Sequence, residues 1–174
     1  MTTLMIILRL IHIFSGVFWA GTSFFNLSIF SPAIAATGDN GRAIMQYLVT
    51  KSRFAVTMLT VALLTFLSGG LMYWLLTLQI PDFHKTSYAI ILGIGAIFGL
   101  LALGSGYFMQ FRVISRIKAL QMEIAAGGGP PSPEQIGKMQ ALAQSAATGA
   151  RVTTVLLVFA LIGMSTAQYA AVLF

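Results

Sequence analysis

The sequence predicts an all-α integral membrane protein: an up-down four-helix bundle with helices extended into the cytoplasm. Of its 174 residues, 57% are hydrophobic and only 8% are charged, and the mean hydropathy is +0.89. Apolar runs of 18 or more residues indicate transmembrane helices. Four such runs are present, at about residues 4–30, 54–78, 88–111 and 152–174. Together with their connections they occupy the whole chain, which predicts a single domain, 1–174.

The segment between the first and second runs is predicted to be helical and to continue directly into the second. Asp39 can cap a helix in which Ile44, Tyr47 and Leu48 recur at helical spacing. The second helix would then contain about 40 residues and measure ~60 Å at 1.5 Å per residue. This is about twice the ~30 Å hydrocarbon thickness of a bilayer, so the helix should project into the cytoplasm.

The third and fourth helices are predicted to have similar extensions, joined by a hairpin. The helical pattern after the third run continues until the Gly-Gly-Gly-Pro-Pro segment 127–131, which interrupts it. Ser132 then restarts a helix as its cap, with Pro133 in the first turn and Gln135 three residues after the cap. The sequence therefore predicts two helices broken near residues 127–132.

The third run is rich in small residues. Gly95 and Gly99 have the GxxxG spacing that lets two helices approach closely. Three interpretations remain open for this pattern. The glycines can pack within one bundle, form a homodimer, or leave room for a flat cofactor.

The distribution of basic residues predicts the orientation. Four spans place the first and third connections on one side of the membrane, and the termini and second connection on the other. The first side has eight Lys and Arg residues, and the second has only Arg9 and Lys85. The positive-inside rule then places both termini on the non-cytoplasmic side of a bacterial-type inner membrane. Because the cations flank the apolar runs, the pI of about 10.1 indicates a lipid bilayer partner rather than nucleic acid.

Several classes of chemistry are excluded by composition. The chain has no cysteine, which excludes disulfides, thiolate metal sites and iron–sulfur clusters. The acidic side chains all lie outside the apolar runs, which argues against a proton-relay pump or a carboxylate-lined channel. No P-loop, dinucleotide fingerprint or Ser/His/Asp arrangement is present. No catalytic residue or enzyme class is therefore indicated.

Arg9 and His12 are the candidate site. They are the only Lys, Arg, His, Asp or Glu side chains well inside an apolar run, where an ionised group costs ~2.5–3.5 kcal/mol on insertion scales. Residues three apart share a helix face, so both are predicted to point into the bundle. Imidazole is a common haem ligand, and a cation one turn nearer the surface suits a haem propionate. The alternative is a packed histidine bonded to Ser15 or a carbonyl, with an arginine reaching the headgroups.

His84 and Lys85 precede the third run on the same predicted side of the membrane. His84 could supply a second iron ligand, and Lys85 could pair with a second propionate. The alternative is an ordinary solvated loop. If the third span begins at Tyr88, His84 lies a turn or more too near the surface to share an iron with His12.

Segment 9–21, RLIHIFSGVFWAG, resembles the first span of the small CopD-like and HemJ-like four-span membrane proteins. These share a histidine followed by a tryptophan and a glycine at about this spacing, here His12, Trp19 and Gly21. The adjacent His84 and Lys85 are similar to a HemJ pattern in which one residue separates the pair. The resemblance implies either haem b at His12 with porphyrinogen oxidation, or copper handling.

Two functional hypotheses follow. The first is a redox protein that binds haem b at His12, with Arg9, His84 and Lys85 near the cofactor. The second is a non-catalytic accessory or scaffold subunit that packs against other membrane subunits of a larger bioenergetic complex. Copper handling is a third interpretation, weakened because the methionines are scattered rather than clustered.

Overall fold

The computed structural model describes residues 2–170, and within this part of the chain every regular element is helical. The first half contains four α-helices: α1 (Thr2–Phe25), α2 (Ser31–Ala36), α3 (Gly38–Thr50) and α4 (Phe54–Gln79). A π-helical turn, Asn26–Phe30, joins α1 to α2 without a break, and a 3-10 turn, Phe83–Lys85, follows α4.

The second half contains two long helical rods. The first consists of α5 (Ser87–Gly106), a π-helical turn (Tyr107–Phe111) and α6 (Arg112–Ala126). It runs for 40 residues without interruption, which confirms the predicted extension of the third helix. The second rod is α7 (Pro133–Thr166), which ends in a 3-10 turn, Ala167–Tyr169.

Four of these helices are long and apolar enough to cross a membrane. They cover Thr2–Ala36, Phe54–Gln79, Ser87–Ala126 and Pro133–Tyr169. The first three contain the first three apolar runs, as predicted from the sequence, and the fourth covers residues 152–169 of the fourth run. The last four residues of the predicted fourth span, 171–174, lie outside the described residues.

Two helix pairs make the most extensive contacts: α1 with α4, and α5 with α7. Further contacts of α1 with α7 and of α4 with α5 join the two pairs. The buried core at this junction takes residues from all four helices, namely Trp19, Ala20, Ala62, Ala102 and Leu157. Because most of these are small, the helix backbones can approach closely where the pairs meet.

The glycine pattern of the third run brings α5 against α7. A Cβ atom built on Gly95 would lie 3.0 Å from the backbone nitrogen of Met164 and 3.1 Å from the carbonyl oxygen of Ala160. Gly99 is less crowded, with only the flexible end of Met164 at 3.9 Å. Gly95 therefore packs against the backbone of α7 within the chain. A homodimer through Gly95 and Gly99 stays a prediction.

The hairpin between α6 and α7 forms where the sequence predicts it. The Ser132 hydroxyl accepts a hydrogen bond from the Gln135 backbone, and the Gln135 side chain accepts one from the Ser132 backbone. These two bonds form the predicted capping box. One turn later the Lys138 ammonium donates to Glu134 at 2.8 Å, and this bond lowers the pKa of the exposed Glu134 carboxyl.

Two predictions about the segment before α4 are wrong. The helix does not continue into the second apolar run, because α3 ends at Thr50 and α4 begins at Phe54. The Ser52 hydroxyl donates to the Leu48 carbonyl at 2.6 Å and accepts from the Phe54 backbone at 3.1 Å. Serine often competes with helical hydrogen bonds in this way. The second of the four long apolar helices therefore has 26 residues, not about 40.

Asp39 is not the cap of α3. Residue Gly38 begins the helix with a φ of 57°, a conformation that glycine adopts without a steric penalty. Asp39 therefore lies inside the first turn, where its carboxylate pairs with Arg42. The left-handed conformation of Gly38 thus lets α3 begin without a hydrogen bond from a capping side chain.

Candidate polar site on helix α1

Hydrogen-bonding side chains line one face of α1 and its π-helical turn. His12, Ser15, Trp19, Thr22 and Asn26 are spaced by three or four residues, which places them on a single helix face. Ser15 and Trp19 are buried, and the other three are half-buried. The face that α1 turns toward its neighbours is therefore polar along most of its length.

His12 contacts the backbone of α4 through its ring. Its Nδ1 atom lies 2.7 Å from the carbonyl oxygen of Thr65. Because a carbonyl oxygen only accepts, Nδ1 must carry the proton and donate it in this bond. In the neutral imidazole the lone pair is then on Nε2. This arrangement is common for metal-binding histidines, which usually donate their second ring nitrogen to a carboxylate or carbonyl.

Gly69 provides the space for the His12 ring. A Cβ atom at this position would lie 2.6 Å from Cε1 and 2.8 Å from Nδ1 of His12. One helical turn from this contact, the Thr65 hydroxyl donates to the Ser15 hydroxyl at 2.8 Å. The ring of His12 is thus held by its hydrogen bond to the Thr65 carbonyl. It fits there because Gly69, one turn further along α4, has no side chain.

Arg9 does not share the inward face of His12. Arg9 is exposed, whereas His12 is half-buried against α4. Residues three apart differ by roughly 60° around a helix axis, and here that offset separates an interior position from an outer one. The expectation that both side chains point into the bundle is met by His12 alone. The Arg9 guanidinium is available at the outside of α1, one turn nearer the N-terminus.

The structure does not bring His84 and Lys85 into the polar face of α1. Both are exposed in the 3-10 turn, which packs on α4 and α5. The buried residue of this turn is Phe83, whose ring contacts the rings of Tyr73 and Tyr88. Lys85 pairs with Asp82 at 2.8 Å. The turn is thus anchored by an aromatic cluster, and its two basic side chains point away from it.

Sequence reasoning missed the two α4 residues that position His12. A Gly69–Gly70 pair inside an apolar run was a visible signal of close packing. No sequence signal marked Thr65, because it contacts His12 through its backbone carbonyl, a group that every residue has. The alternative of a histidine bonded to a carbonyl named the correct type of partner, but the sequence could not identify which carbonyl.

The single imidazole of His12 suits haem iron better than a bare metal ion. Among the described residues, no group of three or more His, Cys, Asp or Glu side chains is placed to hold a metal ion. A bare ion needs several protein ligands, whereas haem iron has four porphyrin nitrogens and needs only an axial ligand. The Nε2 atom of His12 could supply that ligand. His12 does not line the cavity at Trp19 and Met58 or the open groove between α6 and α7.

No protein-family model matches the chain, and no curated protein or solved structure is significantly similar to it. The resemblance to the CopD-like and HemJ-like proteins therefore stays a prediction.

Gly69→Ala should release the His12 ring from the Thr65 carbonyl. The added methyl group would overlap the ring, which must rotate away and lose a bond worth about 0.5–1.5 kcal/mol. Nitrogen NMR of labelled histidine should show a fixed Nδ1–H tautomer in the wild type and a mixture in the variant.

Gly70→Ala is the matched control, since a Cβ atom there meets nothing within 4 Å. This variant should keep the fixed tautomer. An unchanged tautomer in Gly69→Ala would contradict the described packing of His12.

Proposed function

We propose that the protein is a multi-pass integral membrane protein whose four long helices form an up-down bundle. The proposal rests on the four long apolar helices and on what they leave uncovered. Large apolar side chains remain exposed along them, including Phe14 at 72%, Leu67 at 63% and Ile97 at 58%. A soluble monomer rarely exposes apolar surface on this scale, and a bilayer would cover it.

We propose further that both termini lie outside the cytoplasm and that the α6–α7 hairpin lies inside, in a bacterial-type inner membrane. The support is the excess of basic residues in the first and third connections. Because the chain has no cysteine, single cysteines can be introduced as reporters. In intact cells an impermeant thiol reagent should label Thr3→Cys and leave Gly129→Cys unlabelled. The reverse pattern would overturn the orientation.

For the site, we propose that His12 binds the iron of haem b through Nε2. The observation that carries this proposal is the hydrogen bond from Nδ1 to the Thr65 carbonyl, which leaves the Nε2 lone pair free for a ligand. Gly69 preserves that ring orientation. The exposed Arg9 is available for a propionate. Haem would supply one-electron redox chemistry, and the chain's own contribution is to hold and orient the axial imidazole.

The visible absorption spectrum of the purified protein tests the haem proposal. Protein expressed with sufficient haem precursor should show a Soret band, together with α and β bands after reduction. A colourless protein that also fails to bind added haemin would overturn the proposal. Arg9→Leu should retain the band but shift the midpoint potential, since a nearby charge affects the iron.

The second candidate is a non-catalytic accessory subunit of a larger membrane complex. It is favoured by the fact that His12 already has a hydrogen-bond partner without a cofactor, as a purely structural histidine would. In this case the protein would purify without a Soret band and would co-purify with other membrane subunits. Copper handling has less support, because His12 lies in no cluster of three ligating groups among the described residues.

A further inference from the structure

A cavity of about 70 Å³ lies where the four long helices meet. Its walls include Trp19 of α1, Met58 of α4 and Thr154 of α7. Trp19 follows His12 by seven residues, or ~10 Å along the helix, so the cavity is separate from the candidate haem ligand. Phe54 and Tyr107, which are 38% and 40% exposed, also line it. The cavity therefore reaches the protein surface.

Two π-helical turns in the described part of the chain contribute to this cavity. Asn26 is the first residue of one turn, and Tyr107 and Gln110 belong to the other. A π-helical turn inserts an extra residue and re-aims the side chains around it, and such turns are frequent at functional sites. Two turns on different helices here place polar side chains around the same space.

The polar groups at the cavity are uncharged and partly unpaired. Trp19 is only 6% exposed, yet its indole N–H makes no hydrogen bond to any described residue. The same is true of the Thr22 hydroxyl. The Gln110 amide nitrogen donates to Thr153 at 2.9 Å, while its oxygen has no partner in the described part of the chain. Thr22 and Gln110 are half-buried, and none of these three atoms belongs to the fully buried unpaired atoms of the described residues. Each is therefore open to a hydrogen bond with water or with a ligand in the cavity.

The remaining walls are apolar and partly aromatic, as the side chains of Phe54, Leu59 and Phe111 show. None of the described residues that line the cavity is charged, so a charged ligand would lose its hydration without compensation. Pockets with apolar walls and a few convergent hydrogen-bonding groups are typical of small-molecule sites. The lining thus suits a neutral, flat ligand that presents an oxygen acceptor to the Trp19 and Thr22 donors.

We propose that this cavity binds the carbonyl edge of a lipid-soluble quinone. The ring carbonyl accepts from the Trp19 indole N–H and from the Thr22 hydroxyl, and the apolar walls contact the ring. The opening beside Phe54 and Tyr107 leaves space for the isoprenoid tail to remain outside. The proposal concerns binding only and does not depend on haem at His12, since it can be tested on haem-free protein.

The two tryptophans of the chain allow a direct test. Trp19 lines the cavity, whereas Trp74 is 57% exposed and lies outside it. In Trp74→Phe, titration with a short-chain benzoquinone in detergent micelles should quench the remaining Trp19 fluorescence saturably. In Trp19→Phe, the remaining Trp74 should show only a linear decrease from partitioning into the micelle. Equal linear quenching of both residues would overturn the proposal.

Thr22→Val, made in the Trp74→Phe background, tests the hydrogen bond itself. It removes one hydroxyl that has no partner in the described residues and preserves the side-chain shape. Quinone affinity should fall about three- to tenfold, as for the loss of one hydrogen bond. Thr77→Val is the matched control, because Thr77 does not line the cavity, and it should leave the affinity unchanged. If Trp74→Phe and its Thr22→Val and Thr77→Val derivatives bind the quinone with equal affinity, the Thr22 hydroxyl does not contact the ligand.

Discussion

His12→Ala is expected to abolish haem retention. The variant removes the only nitrogen that we propose as an axial ligand, so the Soret band of the purified protein should be lost rather than weakened. Added imidazole should partly restore haemin binding, because it can occupy the space left by the side chain and supply the same ligand atom. Absorption spectra with and without imidazole measure both effects.

His84→Ala is the matched control for this loss. His84 is exposed in the turn before α5, so its removal should leave the Soret band unchanged. Thermal unfolding of the haem-free proteins distinguishes ligand loss from misfolding, since His12→Ala should still unfold cooperatively. An unchanged Soret band in His12→Ala would show that His12 is not the ligand and would leave the accessory-subunit proposal.

Gly163→Ala is expected to cause a large loss of stability. A Cβ atom at this position would lie 2.8 Å from the Cα atom and 3.0 Å from the nitrogen of Gly95. These are backbone atoms, so α5 and α7 must separate to accept the methyl group. Overpacking of this kind costs about 1–3 kcal/mol. Unfolding by SDS titration in mixed micelles should show the decrease.

Gly99→Ala is the matched control on the same pair of helices. The nearest atom to its added methyl group is the flexible end of Met164, at an ordinary contact distance of 3.9 Å. Alanine is about 1 kcal/mol more favourable than glycine within a helix, so this variant should be neutral or stabilising. Equal destabilisation by both substitutions would contradict the described contact between Gly95 and Gly163.

The long helices could be predicted because their signals are local. Apolar runs of sufficient length indicate them directly, and the capping box at Ser132 and Gln135 is a short-range pattern that formed as expected. The break at residues 51–53 could not be predicted in the same way. There, the hydroxyl of Ser52 bonds to two backbone groups, and the helical spacing of its neighbours gives no sign of that choice.

The candidate site was predicted only in part. His12 stood out because an ionisable group is costly at membrane depth. Whether His12 faces inward depends on how α1 is rotated against α4, which the sequence does not specify. The three-residue spacing alone predicted that Arg9 would share its inward face. The structure separates the two, with Arg9 exposed. The cavity at Trp19 was not predicted, because its polar groups come from several helices that are distant in sequence.

The sequence by itself determined the all-helical class, the four long apolar helices, the hairpin and the identity of the unusual histidine. These depend on hydropathy, helical periodicity and capping, which act over a few residues. Only the tertiary structure decided which backbone carbonyl receives the His12 proton, which glycine accommodates its ring and which side chains surround the cavity. Those contacts join residues such as His12 and Thr65, 53 positions apart. They depend on helix rotation and depth, which local patterns do not specify.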